Sequence, residues 1–473
     1  MRTLLAALAI AVAPLAAEAQ SVPPRPIVLH AAHLLDVAAG ALVSPGEVLV
    51  EGERIVAAGT HVDRPANAEV IDLGDRTLLP GLIDAHVHLF LHPGAEDLQT
   101  IEESVPQRTI LAELAARADL MAGFTAERDM GTEGAGSADT AVRNAINAGL
   151  IPGPRMRISG NAIDLTGGHE DAIGYNSAAH VPSNADYADS ADSLVRVMRQ
   201  QHKEGSDFAK IYETGPDSLE PESAAGVLTT PYQYSEAELH AAVTESARLA
   251  SGSPSAMGVG VHCTGEPAAG YAVAAGVASI DHAYFLSERT MAAMKARQIY
   301  AVPTFAISEY FSTHPQFPGQ EAKAKALLAF HAAQFKRQLA AGVPFAVGSD
   351  VGPFPHGTQA RELGLMVEFG MAPADVLRAD LLHGARLLGW EGQIGELKAG
   401  LYADIIAVEG NPLADVSTLG RVAFVMKNGA IYRRPQGRLD ETTMPTPLAG
   451  QGVNGSSADG PYSPGTGRSF SRR

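Results

Sequence analysis

Leu79-Pro80-Gly81-Leu82-Ile83-Asp84-Ala85-His86-Val87-His88 is an apolar run that closes on two histidines two positions apart. Alternate side chains of a β-strand point to the same side. His86 and His88 therefore face one side together, which suits two imidazoles on one metal ion. A strand that ends in ligand-type residues is the habit of a (β/α)8 barrel, whose active site gathers at the C-terminal ends of its strands. Working outward, strand and helix patterns alternate through the middle of the chain. Candidate strands run Leu78 to His88, Phe124 to Met130, Arg155 to Gly160, Asp207 to Tyr212, Val259 to Cys263, Ser279 to Tyr284, Tyr300 to Phe305 and Pro344 to Asp350. Helical stretches such as Ile110 to Ala122 and Glu236 to Ala250 separate them. The fold class is α/β, a barrel over residues 80–390. The competing architecture, an open doubly wound sheet, would carry a Gly-rich phosphate turn that this sequence lacks.

Further strands end in the same kinds of residue. In Asp207-Phe208-Ala209-Lys210-Ile211-Tyr212, Phe208, Lys210 and Tyr212 share one face, and Ala209 and Ile211 the other. An interior lysine is destabilising unless something holds or neutralises it. A lysine amine of lowered pKa reacts with carbon dioxide to give a carbamate, an anion able to bridge two cations. A salt bridge to an acidic neighbour is the plainer alternative. His262 closes Val259-Gly260-Val261-His262, and His282 closes Ser279-Ile280-Asp281-His282. Asp350 closes Phe345-Ala346-Val347-Gly348-Ser349-Asp350, in phase with small Ala346 and Gly348, which leave room beneath a site. Cys263, the only cysteine, faces away from that side and reads as a buried structural thiol. His356, Arg361 and Glu362 read as solvated loop residues, and Trp390 as packing between the barrel and its neighbour.

Short β segments occupy both ends. Residues 26–79 hold a β-rich run with a break at His30 and a hairpin turning at Gly52; residues 391–434 hold Ala403 to Val408 and a hairpin signalled by Asn428-Gly429. Together they predict one small β-sandwich built from both chain ends. The stretch 435–473, rich in Gly, Pro, Ser and Thr, reads as a disordered tail. Residues 1–19 read as a signal peptide: Arg2, an apolar run from Leu4 to Leu15, then Ala17-Glu18-Ala19. This implies a periplasmic or secreted protein with no membrane span after cleavage. A net charge of −18 with no Lys/Arg cluster argues against a nucleic-acid partner.

LPGLIDAHVH, DFAKIY, VHCTGE, SIDHAYF and VGSD, in that order, together with the loop Leu165-Thr166-Gly167-Gly168-His169-Glu170-Asp171, resemble the amidohydrolase superfamily. Within it the chain is similar to the imidazolonepropionase-like group that holds Xaa-Pro dipeptidases and ochratoxinase. The resemblance implies two divalent metal ions, zinc by the nitrogen-rich ligand set. His86, His88 and Asp350 would hold the first, His262 and His282 the second, and N6-carboxylysine at Lys210 would bridge them. Asp350 would also move the proton from water to the leaving amine, and Tyr212 and His169 would stabilise the oxyanion or hold a carboxylate. The implied activity is cleavage of an amide bond in an N-acyl amino acid or dipeptide with a free carboxylate, ochratoxin A included, by a homo-oligomer. A cyclic amide or lactone hydrolase, and a non-enzymatic binding protein on the same fold, are the alternatives. Where members of the group carry Thr-x-Asn-x-Ala after the eighth strand, this chain has Leu381-Leu382-His383-Gly384-Ala385, which leaves the role of His383 open. The leader reading is checked by N-terminal sequencing of exported protein, which should begin at Gln20; recovery with Met1 retained would refute it.

Overall fold

The computed structural model describes residues 25–435 apart from 174, 177, 216–229, 252–257, 317 and the side chain of Asp97. The leader and all but the first residue of the tail lie outside the described residues.

The opening motif does not lie in one strand. Arg76–Pro80 pairs antiparallel with Ile405–Glu409, whereas Leu82–Val87 pairs parallel with Phe124–Asp129. Gly81 is the seam. A Cβ there would overlap the Thr125 side chain, and its N–H donates to the Asp404 carbonyl at 3.0 Å. The motif thus joins two sheet systems, a switch made at a residue whose missing side chain permits the close approach.

The central strands are parallel and alternate with helices. One sheet runs Arg155–Ile158, Phe124–Asp129, Leu82–Val87. The other runs Ala185–Tyr187, Ala162–Asp164, Ala209–Tyr212, Val259–Cys263, Ser279–His282, Tyr300–Val302. The expected eighth strand, Pro344 to Asp350, is not a regular strand. It makes isolated bridges, Phe345 to Ala301 and Val351 to Val87. Its other bonds reach both sides: Ala346 N–H to Ala301 O at 3.1 Å, and Ala85 N–H to Val347 O at 2.8 Å. The regular strands are therefore two open sheets rather than one closed ladder, with the irregular segment bonded between Leu82–Val87 and Tyr300–Val302. Local sequence explains the helices. Ser235 accepts from Glu238 N–H at 3.4 Å while Glu238 Oε2 accepts from Ser235 N–H at 2.9 Å, a reciprocal cap on Glu236–Leu249.

Two further sheets come from the chain ends. One runs Arg54–Gly59, Gly46–Glu51, Ile27–Ala31, Glu69–Asp72. The other runs Ala430–Arg433, Val422–Lys427, Ile405–Glu409, Arg76–Pro80, His33–Asp36, Ala41–Val43. Leu29, Val48, Leu78, Ile405, Phe424 and Met426 meet in one buried apolar cluster, so both ends contribute to one core. The expected break at His30 falls instead at Ala32, between the first two strands.

Other expectations change in detail. Glu362 is fully buried, not solvated, and accepts from the N–H groups of Phe305 at 3.0 Å and Ala306 at 2.7 Å. His356 lies 2.7 Å from Asp119 through Nδ1. Trp390 packs mainly under the parallel strands, with Ile83, Ala85, Val302 and Ala346. The Leu381–Ala385 stretch begins in a π-helix, Ala379–His383, where His383 Nδ1 meets the Phe345 carbonyl at 2.7 Å and Asp380 accepts from Ile83 N–H at 3.2 Å. His383 thus braces the irregular eighth segment from below.

The two terminal hairpins touch. Asn428 and Gly429 take φ 50° and 72° between Lys427 and Ala430, and a Cβ on Gly429 would collide with the Gly52 carbonyl oxygen. Gly429→Ala should lower stability by at least about 1 kcal/mol, read as a lower urea midpoint at unchanged slope.

Candidate metal centre

Four strand ends and the irregular segment deliver the ligand-type residues to one place. His86 Nε2 lies 3.3 Å from His88 Nε2, and each lies 3.4 Å from Asp350 Oδ1. Ligand atoms about 2.1 Å from a tetrahedral ion stand roughly 3.4 Å apart, so these three atoms outline one face of a metal site. The His282 ring is 5.1 Å from that of His86, and the His262 ring is 4.3 Å from that of His282. His262 Nε2 is buried without a hydrogen-bond partner. A buried imidazole nitrogen without a partner is unfavourable unless a cation takes its lone pair. On both counts the residues fit divalent metal.

Lys210 is 1% exposed, with Nζ 5.1 Å from the centroid of the Tyr212 ring. Among the described residues it makes no ion pair within 4.0 Å, and the carboxylates of Asp281, Asp350 and Glu133 act on it from further off. Gly260, paired with Lys210, leaves room for Arg128: a Cβ there would stand 3.2 Å from Arg128 Nη1. Gly348 does the same for His86, whose Cβ would lie 2.7 Å away. Of the two small residues expected to leave room beneath the site, Gly348 does so for His86.

Burial sets the charge states. It lowers Lys210 against the opposing pull of Asp281, Asp350 and Glu133, and it raises Asp350. His86, His262 and His282 are held well below the ordinary histidine value by burial and by neighbouring cations, so they present lone pairs. Burial pulls His88 down too, but the hydrogen bond and charge of Glu133, with Asp350, outweigh it and push His88 up to about 10.

A second set of contacts orients the ligands. His86 Nδ1 lies 3.3 Å from Asp281 Oδ1, which accepts from Arg128 Nη2 at 2.8 Å. Arg128 also donates to the Ala85 carbonyl at 2.6 Å and to Ser279 Oγ at 3.0 Å. His282 Nδ1 meets Thr304 Oγ1 at 2.8 Å. Sequence reasoning passed over Arg128, Asp281, Thr304 and Glu133. An arginine at an interior strand position is the same signal as Lys210 and could have found Arg128. Backbone strain gathers here as well. Of the seven non-glycine residues at positive φ among the described residues, Glu133, His282, Ala283, Thr304 and Asp350 lie at or just past the ends of parallel strands.

His169 and Tyr212 stack, centroids 5.0 Å apart and planes 10° apart, with the His262 ring 4.3 Å from that of His169. Gln233 joins the loop to the strand, accepting from His169 N–H at 2.9 Å and donating to the Tyr212 carbonyl at 2.7 Å. The site opens into a cavity of about 270 Å³. Tyr284, Ile307, Phe311 and Leu327 line it on the apolar side; Glu96 and Glu170 lie among its polar residues.

The amidohydrolase family profile matches residues 77–432. The chain belongs to the amidohydrolase family. This amidohydrolase is 28% identical over 391 residues to the ochratoxinase of Aspergillus niger, covering 76% of each chain. A solved Xaa-Pro dipeptidase with methionine bound in its active site is 30% identical, with TM-score 0.76, over 86% of this chain and all of that one. A prolidase complexed with N-methylphosphonate-L-proline is 27% identical, with TM-score 0.76 and the same coverage. This amidohydrolase is a hydrolase of carbon–nitrogen bonds.

Metal uptake must displace the proton from His88. Apparent affinity at the His86, His88 and Asp350 group should therefore rise with pH, by up to about tenfold per unit, until His88 titrates near 10. Chelator competition between pH 6 and 9 reads this, and a flat profile would refute it.

Proposed function

We propose that this amidohydrolase binds two divalent metal ions and hydrolyses the amide bond of N-acyl amino acids or dipeptides that carry a free carboxylate. The observation that carries the reading is the convergence of His86 Nε2, His88 Nε2 and Asp350 Oδ1 beside the unpartnered Nε2 of His262. Bound ions would polarise the scissile carbonyl and acidify water. Zinc is the metal we propose, and the fold reading that accompanies it is a (β/α)8 barrel flanked by a β-sandwich. We also propose a periplasmic or secreted homo-oligomer.

The residues then divide the work. Lys210, lowered by burial, would lose its ammonium proton, add carbon dioxide through Nζ and release a second proton, and the resulting carbamate would supply an anionic ligand for the metal ions. Asp350 accepts a proton from the attacking water and returns it to the departing amine. His169 and Tyr212, stacked on each other beside His262, hold the substrate's carboxylate or the oxyanion. A methionine in the active site of one similar dipeptidase, and a proline phosphonate in a similar prolidase, support an amino acid as the leaving half. The ochratoxinase supports ochratoxin A among the substrates.

Lys210→Ala should lose at least one metal by elemental analysis, with turnover down by at least about a hundredfold. Two metals and near-normal turnover would remove the bridge from the scheme. Converting the substrate's free carboxylate to an amide should lower kcat/KM by about 10- to 150-fold, as loss of a charged hydrogen bond of about 1.5–3 kcal/mol implies. Equal turnover would favour a cyclic amide or lactone substrate instead.

A further inference from the structure

Glu133 lies outside every motif that marks the site, yet its side chain points into it. It is 2% exposed, four residues past the Phe124–Asp129 strand. Its Oε1 lies 3.1 Å from His88 Nδ1 and accepts from the Tyr212 hydroxyl at 3.4 Å. One carboxylate oxygen thus touches a candidate metal ligand and a candidate substrate contact. We propose that Glu133 is a positioning residue: it fixes the His88 tautomer, so that Nε2 keeps its lone pair for metal, and it holds the Tyr212 hydroxyl through the same oxygen. This rests on the reading of His88 as ligand and Tyr212 as substrate contact.

The backbone supports the assignment independently. Glu133 sits at φ 48°, a left-handed conformation that glycine adopts freely and glutamate does not, and Gly131 and Gly134 on either side are also at positive φ. A strained non-glycine residue persists where its surroundings over-determine it. Here they do. The Glu133 carbonyl accepts from Arg108 Nη1 at 2.5 Å and from Thr100 Oγ1 at 2.9 Å. The same buried guanidinium holds the carbonyls of Phe90 at 2.9 Å and Thr132 at 3.1 Å. The turn is thereby clamped from the side away from the site. At Gly131 a Cβ would come within 3.0 Å of Glu133 Oε1, so the missing side chain gives the carboxylate its place. The Gly131 carbonyl also lies 3.1 Å from His88 Nδ1, so a main-chain acceptor stands beside the carboxylate. Two acceptors at Nδ1 put its proton there. Only the carboxylate carries charge and reaches Tyr212.

Donation of an imidazole N–H to a carboxylate orients a ligand and raises its basicity, and removing such a partner weakens metal binding by about 10–100-fold. Glu133→Gln keeps the shape and removes the charge. Its metal dissociation constant, by chelator competition with zinc, should rise by that factor, while the thermal transition of the metal-free protein shows that the fold persists. Tyr212→Phe removes the donor that shares Oε1 with His88, and zinc retention should tighten by at least about twofold. The double variant should be non-additive in KM, because the hydroxyl already lacks its anchor in Glu133→Gln. A role in packing alone would leave zinc affinity at the wild-type value in both single variants and make their effects on KM additive; either result overturns the proposal. Failure of the wild-type protein to bind zinc would instead sink the two-metal reading itself.

Discussion

The site exists because polar groups that water would normally solvate are buried together and left facing one another. Nε2 of His86, Nε2 of His88 and Oδ1 of Asp350 stand 3.3–3.4 Å apart, a spacing that is favourable only with a proton or a metal cation between them. Keeping such groups out of water is unfavourable by several kcal/mol for each ion, so everything beneath them must hold them in place. That is the work of Arg128. Its guanidinium is 1% exposed and spans Ala85, Ser279 and Asp281, fastening the strand of His86 to the strand of His282. Gly260 and Gly348 follow from the same demand, since a side chain at either would occupy space that Arg128 or His86 needs.

The irregular segment 344–351 belongs to this arrangement. A regular strand would carry Asp350 onward in extended conformation. The left-handed turn at Asp350 instead presents Oδ1 between the two imidazoles, while its own N–H remains bonded to the His86 carbonyl at 2.8 Å. The same trade occurs at His282, φ 73°, whose ring is then fixed by Thr304, φ 56°. Each such conformation costs on the order of 1–3 kcal/mol. The buried strands that precede these turns supply the stability that offsets it.

Strand-borne chemistry was legible in the sequence because a period of two is a strict rule. It placed His86 with His88 and Lys210 with Tyr212, and the structure brings those residues, His262, His282, Asp350 and His169 around one cavity. The two terminal hairpins were legible for a similar reason, since Gly52 and Asn428-Gly429 are turn residues with a specific conformational demand. What could not be read depends on where loops return. Glu133 follows a strand end by four residues and meets His88 in a turn whose backbone Arg108 and Thr100, from two separate helices, hold. Glu362 looked like a solvated loop residue, yet it caps the N-terminus of the helix Phe305–Phe311 by accepting its first two N–H groups. The opening motif looked like one strand because nothing in its apolar pattern marks Gly81 as the place where the chain leaves one sheet for another.

This division has a chemical consequence. The ligand set sits on strand ends and on a segment bonded to strands at both sides, so its geometry is tied to the core. The cavity walls come from elsewhere. Tyr284 follows a strand, Ile307 and Phe311 lie on a short helix, Leu327 lies on Gln320–Ala341, and Glu96 begins another helix. Those connections can change length and composition without disturbing the parallel strands, and the metal group therefore constrains the reaction more tightly than the substrate. His169 is the exception that links the two. It lies on a connecting loop, yet Gln233 ties that loop to the end of the Lys210 strand. A residue of a connecting loop is thereby held in stacking contact with Tyr212, beside His262.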